Sequence, residues 1–168
     1  MSMAQWASAF AESALGLTKS VGDLAGACLF ATTMGISRML YGKFGEKIDL
    51  IKFMLISGVL CVVSYLLAGL SAMPIWGLVG CVMCGFSVGI MWPGSISITA
   101  PRIPKGGTAL FALLAMAGDM GGAFGPSVVG YFSQHAGDNL QAGLLTGCIF
   151  PLIMLATLIA MKKMTPEG

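Results

Sequence analysis

The chain has 168 residues, of which 57% are hydrophobic and only 10% are charged, whereas an ordinary soluble domain carries roughly 25% charged residues. This composition excludes a soluble enzyme, and the net charge of +2 is too small for the electrostatic attraction of a nucleic acid. A mean hydropathy of +0.88 instead indicates an all-α protein that crosses a membrane several times.

Residues 1–20 form a short and partly polar segment that does not span a bilayer alone. Its apolar positions share one helical stripe, but Glu12 and Lys19 lie among them. The segment also lacks the basic flank, apolar centre and small-residue cleavage site of a signal peptide. Two interpretations stay open: an interfacial amphipathic helix, or the outer end of a span whose beginning is missing.

Five uncharged runs are each long enough to cross a bilayer, which takes about 20 mostly apolar residues per helix. They lack the polar and apolar alternation of membrane strands, so we predict helices. The expected architecture is a five-span bundle over residues 21–164 with a cytoplasmic tail at 165–168. The predicted spans cover residues 21–41, 53–70, 75–100, 108–132 and 140–161.

The positions of the basic residues predict how the chain is oriented, because Lys and Arg in short loops stay on the cytoplasmic side. Eight of the nine basic residues fall on one side of the predicted spans, and only Lys19 falls on the other. We therefore expect a multi-pass protein of the cell membrane with an external N-terminus and a cytoplasmic C-terminus. An external N-terminus on an odd number of spans, without a signal peptide, suggests a chain cut out of something longer.

Glycines recur at i and i+4 within the predicted spans, and each such pair opens one helix face to close contact. Several of these pairs together predict a tight and movable helical bundle. The pairs are Gly22 and Gly26, Gly85 and Gly89, Gly118 and Gly122, Gly121 and Gly125, and Gly143 and Gly147.

The third span contains a predicted kink. Pro93 removes one helical hydrogen bond and Gly94 weakens the same turn, which frees carbonyls that a cavity or nearby hydroxyl groups could satisfy. One interpretation is a cavity-lining helix in which Trp92 offers a face to a sugar ring. The other is a structural kink with Trp92 against lipid or a neighbouring helix. Met91, Trp92 and Ser95 are therefore candidates for the solute pathway.

Asp119 lies near the middle of the fourth span, about 20 Å from its cytoplasmic end. A carboxylate at that depth is costly and usually faces a cavity or a partner. Arg38 is expected to lie ~10 Å away in depth, so the two should not pair without helix distortion. Two roles stay open for Asp119: a link to the proton or the substrate, and a structural hydrogen bond to a neighbouring helix.

Two further segments are rich in glycine. Residues 35–47 are predicted to form a tight cytoplasmic turn, with candidate motif residues Gly35, Arg38, Gly42, Lys43, Gly45 and Lys47. The fourth span carries candidate kink or gating residues at Gly121, Gly122, Gly125, Pro126 and Gly130.

The sequence shows no nucleophile with a base at a readable spacing, no metal-ligand set and no phosphate-binding loop. Cys81 and Cys84 have the spacing of a redox pair, but they lie inside an apolar span with no second pair, and we interpret them as small apolar helix residues. We predict no enzymatic activity, no cofactor and no metal site.

The order of these features resembles the C-terminal half of a major facilitator superfamily transporter, from the outer end of its seventh helix through its twelfth. Residues 35–47 look like a degenerate copy of that family's cytoplasmic turn, with Gly42 where an acidic residue is usual and Glu46 where a basic one is common. The Gly121-x-x-x-Gly125-Pro126 run with Gly130 looks like the family's glycine–proline motif.

The Trp92-Pro93 segment, followed by a glycine-rich span, is similar to sugar permeases of the fucose–proton symporter type. The resemblance implies a proton-coupled or facilitative carrier in which two six-helix halves rock about a site near the bilayer midplane. Its partners would be the lipid bilayer, a small solute such as a sugar, protons, and the missing N-terminal half or another subunit; no nucleic acid is expected. The alternative is a non-transporting scaffold subunit that packs through its glycine-rich helix faces.

Overall fold

The computed structural model describes residues 7, 12, 16, 18–44, 49–71, 73–137 and 140–164, and almost all of this part of the chain is helical. The predictions for residues 1–20 and 165–168 lie almost entirely outside the described residues. The helices are α1 (Lys19–Phe44), α2 (Leu50–Leu70), α3 (Pro74–Val88), α4 (Met91–Arg102), α5 (Gly107–His135), α6 (Leu140–Gly147) and α7 (Ile149–Met164).

Five stretches are long and apolar enough to cross a membrane, which confirms the all-α, multi-pass architecture. Helices α3 and α4 together form the third stretch, and α6 and α7 together form the fifth. The five stretches are Leu24–Phe44, Leu50–Leu70, Ile75–Arg102, Gly107–His135 and Gln141–Lys163.

The predicted turn at residues 35–47 is wrong over most of its length, because α1 continues as a helix to Phe44. Neither Gly35 nor Gly42 has a positive φ, so both are compatible with the helix. Residues 45–48 lie outside the described part of the chain. The next helix, α2, begins where the Asp49 side chain accepts hydrogen bonds from the backbone N–H groups of Ile51 and Lys52.

The third and fifth spans are interrupted rather than continuous. Helix α3 ends at Val88 and α4 begins at Met91, and the fifth span is broken at Cys148. Each interruption lies within one turn before a proline, Pro93 or Pro151, because a proline has no N–H for the carbonyl four residues earlier. In contrast, α5 runs unbroken through Pro126.

Helix α2 is the centre of the bundle and contacts α3, α4, α6 and α7, whereas α1 packs against α3. Glycines permit the closest contacts, as their i, i+4 spacing predicts. A Cβ at Gly85 would lie 2.6 Å from the carbonyl oxygen of Phe30 on α1, and one at Gly89 would lie 2.7 Å from that of Met34. On α6, a Cβ at Gly143 would lie 2.5 Å from the Val129 carbonyl oxygen.

Helix α5 is packed at only one end. Its buried residues are Gly125, Val129 and Ser133, all in the half that contacts α6. Residues 107–124 are exposed or half-buried throughout. This half of α5 therefore leaves one side of the bundle open, and that side contains the candidate site.

Candidate functional site

Two adjacent pockets are lined by the four predicted solute-pathway candidates and by Arg38. The first, which we call the methionine pocket, has a volume of about 300 Å³ and lies between α1, the α3–α4 break and α7. Its lining is mostly apolar and includes three methionine side chains. The lining residues are Phe30, Met34, Arg38, Val88, Met91, Trp92, Ser95 and Met154.

The second pocket, which we call the aspartate pocket, has a volume of about 310 Å³ and lies between α1, α4 and the exposed half of α5. It is lined by Arg38, Trp92, Ala115, Gly118 and Asp119. Arg38 and Trp92 belong to both pockets. The structure thus brings a guanidinium, an indole and a carboxylate to one region of the open side.

Two helices, α4 and α5, determine the position of the Trp92 side chain. It is the second residue of α4, directly after the break, and its side chain is 42% exposed. On α5, a Cβ at Gly118 would lie 2.9 Å from Cζ3 of the Trp92 ring. The absence of a side chain at Gly118 therefore makes the space that the indole occupies. Trp92 thus lies against a neighbouring helix and also lines two pockets.

Arg38 makes the contact that sequence reasoning missed. Its Nε donates a hydrogen bond of 3.0 Å to the carbonyl oxygen of Gly89, in the break between α3 and α4. A cavity or nearby hydroxyls of the same span were the two expected ways to satisfy the freed carbonyls, but the hydroxyl of Ser95 donates to Met91 O, and that of Thr99 donates to Ser95 O. The sequence did indicate which carbonyl needs a donor, because Gly89 lies four positions before Pro93, which has no N–H.

Asp119 lies in the middle of α5 and is exposed. Within the described part of the chain, the ion pair within 4 Å joins Lys52 to Asp49, and Asp119 pairs with no basic residue. Arg38 and Asp119 therefore form no ion pair with each other within the described residues. They nevertheless line the same pocket, which the depth estimate did not predict.

The other candidate residues lie on α1 and along α5. On α1 lie Gly35, Gly42 and Lys43, while Gly45 and Lys47 fall outside the described residues. On α5, a Cβ at Gly121 or at Gly130 would have no neighbouring atom within 4 Å, so the close contact predicted at Gly121 is absent. Gly125 is buried, and Gly122 and Pro126 are half-buried.

No cluster of three or more possible metal-binding side chains occurs within the described ranges. The open side instead offers an apolar wall, an aromatic face and two charges. These groups can hold a small molecule non-covalently.

The sequence model of the Major Facilitator Superfamily matches residues 1–167. The chain is also similar to the multi-drug resistance efflux pump PmrA from two strains of Streptococcus pneumoniae, with 27% identity over 159 residues, or 89% of this chain. This chain spans 39% of the length of those relatives. No solved structure matches the chain significantly.

Proposed function

Since the chain belongs to the Major Facilitator Superfamily, we propose that it is part of a carrier that moves a small solute across the membrane by alternating access. The observation that carries the proposal is the placement of Asp119. An exposed carboxylate at mid-span, in a pocket with Arg38 and Trp92, is costly in lipid and is typical of a solute or ion pathway.

The open side supports a carrier with a second wall. Hydrocarbon cannot solvate Asp119, so this half of α5 requires a water-filled space or a protein partner next to it. We propose that the second wall is an N-terminal half of the same carrier or another subunit. Alternating access then consists of rocking the two walls about the pockets of the open side.

The linings of the pockets favour an amphipathic solute over a sugar. A sugar requires many hydrogen bonds, but the Ser95 hydroxyl in the methionine pocket already donates to a backbone carbonyl. Methionine and tryptophan side chains instead suit an apolar body of variable shape. Asp119 supplies the counter-charge for a cationic group. The relatives in Streptococcus pneumoniae are named multi-drug resistance efflux pumps, which is consistent with such a solute.

The proposed orientation rests on the distribution of basic residues. The side to which Arg102 and Lys105 belong is the cytoplasmic side, and the loop around residue 138 is external. In a cysteine-free background, a cysteine at position 105 should resist an impermeant thiol reagent added to intact cells. A cysteine at position 138 should react with it, and the opposite labelling would overturn the orientation.

Trp92 provides a direct test of solute binding. With Trp6 and Trp76 replaced by Phe, its fluorescence reports on both pockets of the chain in lipid nanodiscs. We expect saturable quenching by tetraphenylphosphonium, which combines a cation with aromatic rings, and no response to L-fucose. Asp119→Asn should weaken tetraphenylphosphonium binding about tenfold, because it removes the counter-charge.

Asp49→Asn is the matched control, since it removes a carboxylate at an exposed helix end and should leave the binding curve unchanged. Saturable binding of fucose without tetraphenylphosphonium would overturn the amphipathic solute in favour of a sugar. A failure of both ligands to change the fluorescence would overturn the solute site and favour the scaffold alternative.

A further inference from the structure

Pro93 deprives one backbone carbonyl at the break in the third span of its helical donor. In a continuous helix the N–H of residue 93 would donate to the carbonyl of Gly89, but Pro93 has no N–H. The next pair is intact, because the Gly94 N–H donates to the Ile90 carbonyl at 2.7 Å. The carbonyl deprived by Pro93 is therefore that of Gly89.

A side chain of another span replaces the missing backbone N–H. Arg38 on α1 donates from Nε to the Gly89 carbonyl at 3.0 Å, and the contact joins residues 51 positions apart in the sequence. A hydrogen bond from a charged donor is stronger than one from a neutral donor, and a carbonyl without a donor is costly in a membrane.

The packing of α1 against α3 holds Arg38 within reach. A Cβ at Gly89 would lie 2.7 Å from the Met34 carbonyl oxygen and 2.8 Å from Cβ of Ser37. Ser37 is fully buried in this contact. The neighbouring side chain, Arg38, then extends from the contact toward the break.

We infer that Arg38 is a positioning residue that clamps the α3–α4 break by replacing the hydrogen bond that Pro93 cannot make. The same guanidinium lines both pockets, so a group that draws it into a pocket releases the Gly89 carbonyl. The clamp thereby couples the shape of the third span to the contents of the site. The clamp itself depends on the hydrogen bond alone and holds whether or not the chain transports a solute, whereas its coupling to the site rests on the proposed function.

A double-mutant cycle with Pro93 tests the clamp. Pro93→Ala restores the N–H, so that the helix itself can serve the Gly89 carbonyl. The four chains are the parent, Arg38→Met, Pro93→Ala and the double variant, each with Trp92 as the single tryptophan. Their unfolding in mixed micelles is followed by Trp92 fluorescence, which also reports the geometry of the first turn of α4.

We expect Arg38→Met to increase the unfolding equilibrium constant roughly tenfold in the parent. In the Pro93→Ala background the same substitution should increase that constant by about threefold or less. Arg38→Lys, which keeps a charged donor, should recover part of the loss. Lys105→Met, which removes a basic charge from a loop, should have the same small effect in both backgrounds.

Equal losses in the two backgrounds would overturn the clamp, because Arg38 would then act through its charge or its packing. An unchanged equilibrium constant for Arg38→Met in the parent would also overturn it. If Arg38→Met prevents folding altogether, recovery of a folded chain by the added Pro93→Ala substitution supports the clamp, and no recovery contradicts it.

Discussion

The packed side of the bundle around α2 and the open side formed by α1, α4 and the first half of α5 use the same residue types differently. In α5, none of the residues of its most apolar stretch are buried. In α2, 44% of the residues of the corresponding stretch are buried. On the packed side glycines admit a neighbouring backbone, as at Gly143 against Val129. On the open side Gly118 admits the Trp92 ring, and Gly121 meets nothing. Glycine spacing therefore marks helix faces without revealing what covers them.

Polar side chains also differ between the packed side and the open side. On the packed side, the hydroxyl of Ser64 donates to Leu60 O at 2.7 Å and that of Ser87 donates to Cys84 O at 2.8 Å. These groups are satisfied within their own helices. On the open side, Arg38 reaches across to another span and Asp119 carries a charge into a pocket. The packed side holds the fold together, and the open side carries the charged groups that line the pockets.

The largest effect on stability should come from filling a packed glycine. In Gly143→Ala the new Cβ would lie 2.5 Å from the Val129 carbonyl oxygen, so the α5 and α6 backbones must separate. We expect a loss of about 1–3 kcal/mol in the free energy of unfolding, measured in mixed micelles.

Gly121→Ala is the matched control on the open side, because its Cβ would have no neighbour within 4 Å. It should leave the free energy of unfolding unchanged or raise it by up to about 1 kcal/mol, since alanine favours a helix more than glycine does. Equal losses for the two variants would remove the distinction between the sides.

A smaller effect on stability, but a clear one on the site, is expected at Gly118. Gly118→Val would place atoms where the Trp92 ring lies, with the first of them 2.9 Å from Cζ3. The ring can move into the pockets, so stability should change by less than about 1 kcal/mol. The fluorescence of Trp92 should shift, and tetraphenylphosphonium should bind roughly tenfold more weakly. Unchanged fluorescence would show that Gly118 does not position the indole.

The smallest effect is expected at the exposed start of α2. Asp49 accepts hydrogen bonds from the backbone N–H groups of Lys52 and Ile51, with the Lys52 ion pair at 3.3 Å, and these contacts lower its pKa below the ordinary 3.8. Because the folded-state pKa is lowered, the stabilisation is present above the unfolded-state pKa and is lost as the pH falls through the folded-state pKa.

Asp49→Asn keeps a capping side chain but cannot titrate. The measurement is the unfolding midpoint of parent and variant between pH 6 and 2, approximately the range over which an aspartate titrates. The difference between the two chains should shrink toward the acid end. A constant difference would show that the carboxylate charge contributes nothing at this helix end.

The sequence predicted the general architecture well, for physical reasons. Charged residues are excluded from hydrocarbon, so uninterrupted apolar runs revealed the spans, and Pro93 gave the approximate place of the break. The end of α1 was predicted too early because glycines and basic residues near Arg38 and Lys43 were read as a turn. Glycine without a positive φ can stay in a helix, and basic side chains extend toward the membrane surface from helical positions.

The candidate site could be predicted only in part. Single residues such as Asp119 and Trp92 stand out from composition, because charge and a proline-linked aromatic are unusual in a span. Asp119 and Trp92 line the same pocket because of the way α1, α4 and α5 cross. No residue pattern within a single helix predicts that crossing. The Arg38 contact with Gly89 required both the proline rule and the α1–α3 packing, of which the sequence offered the first.

The central claim is that the open side holds a solute site in which Asp119 supplies the counter-charge for a cationic solute. The most direct measurement compares the binding of tetraphenylphosphonium by the parent and by Asp119→Asn, each with Trp92 as the single tryptophan. Asparagine keeps the size of the side chain but carries no charge, so the account predicts roughly tenfold weaker binding in the variant. Equal affinities of the two chains for tetraphenylphosphonium would contradict the account.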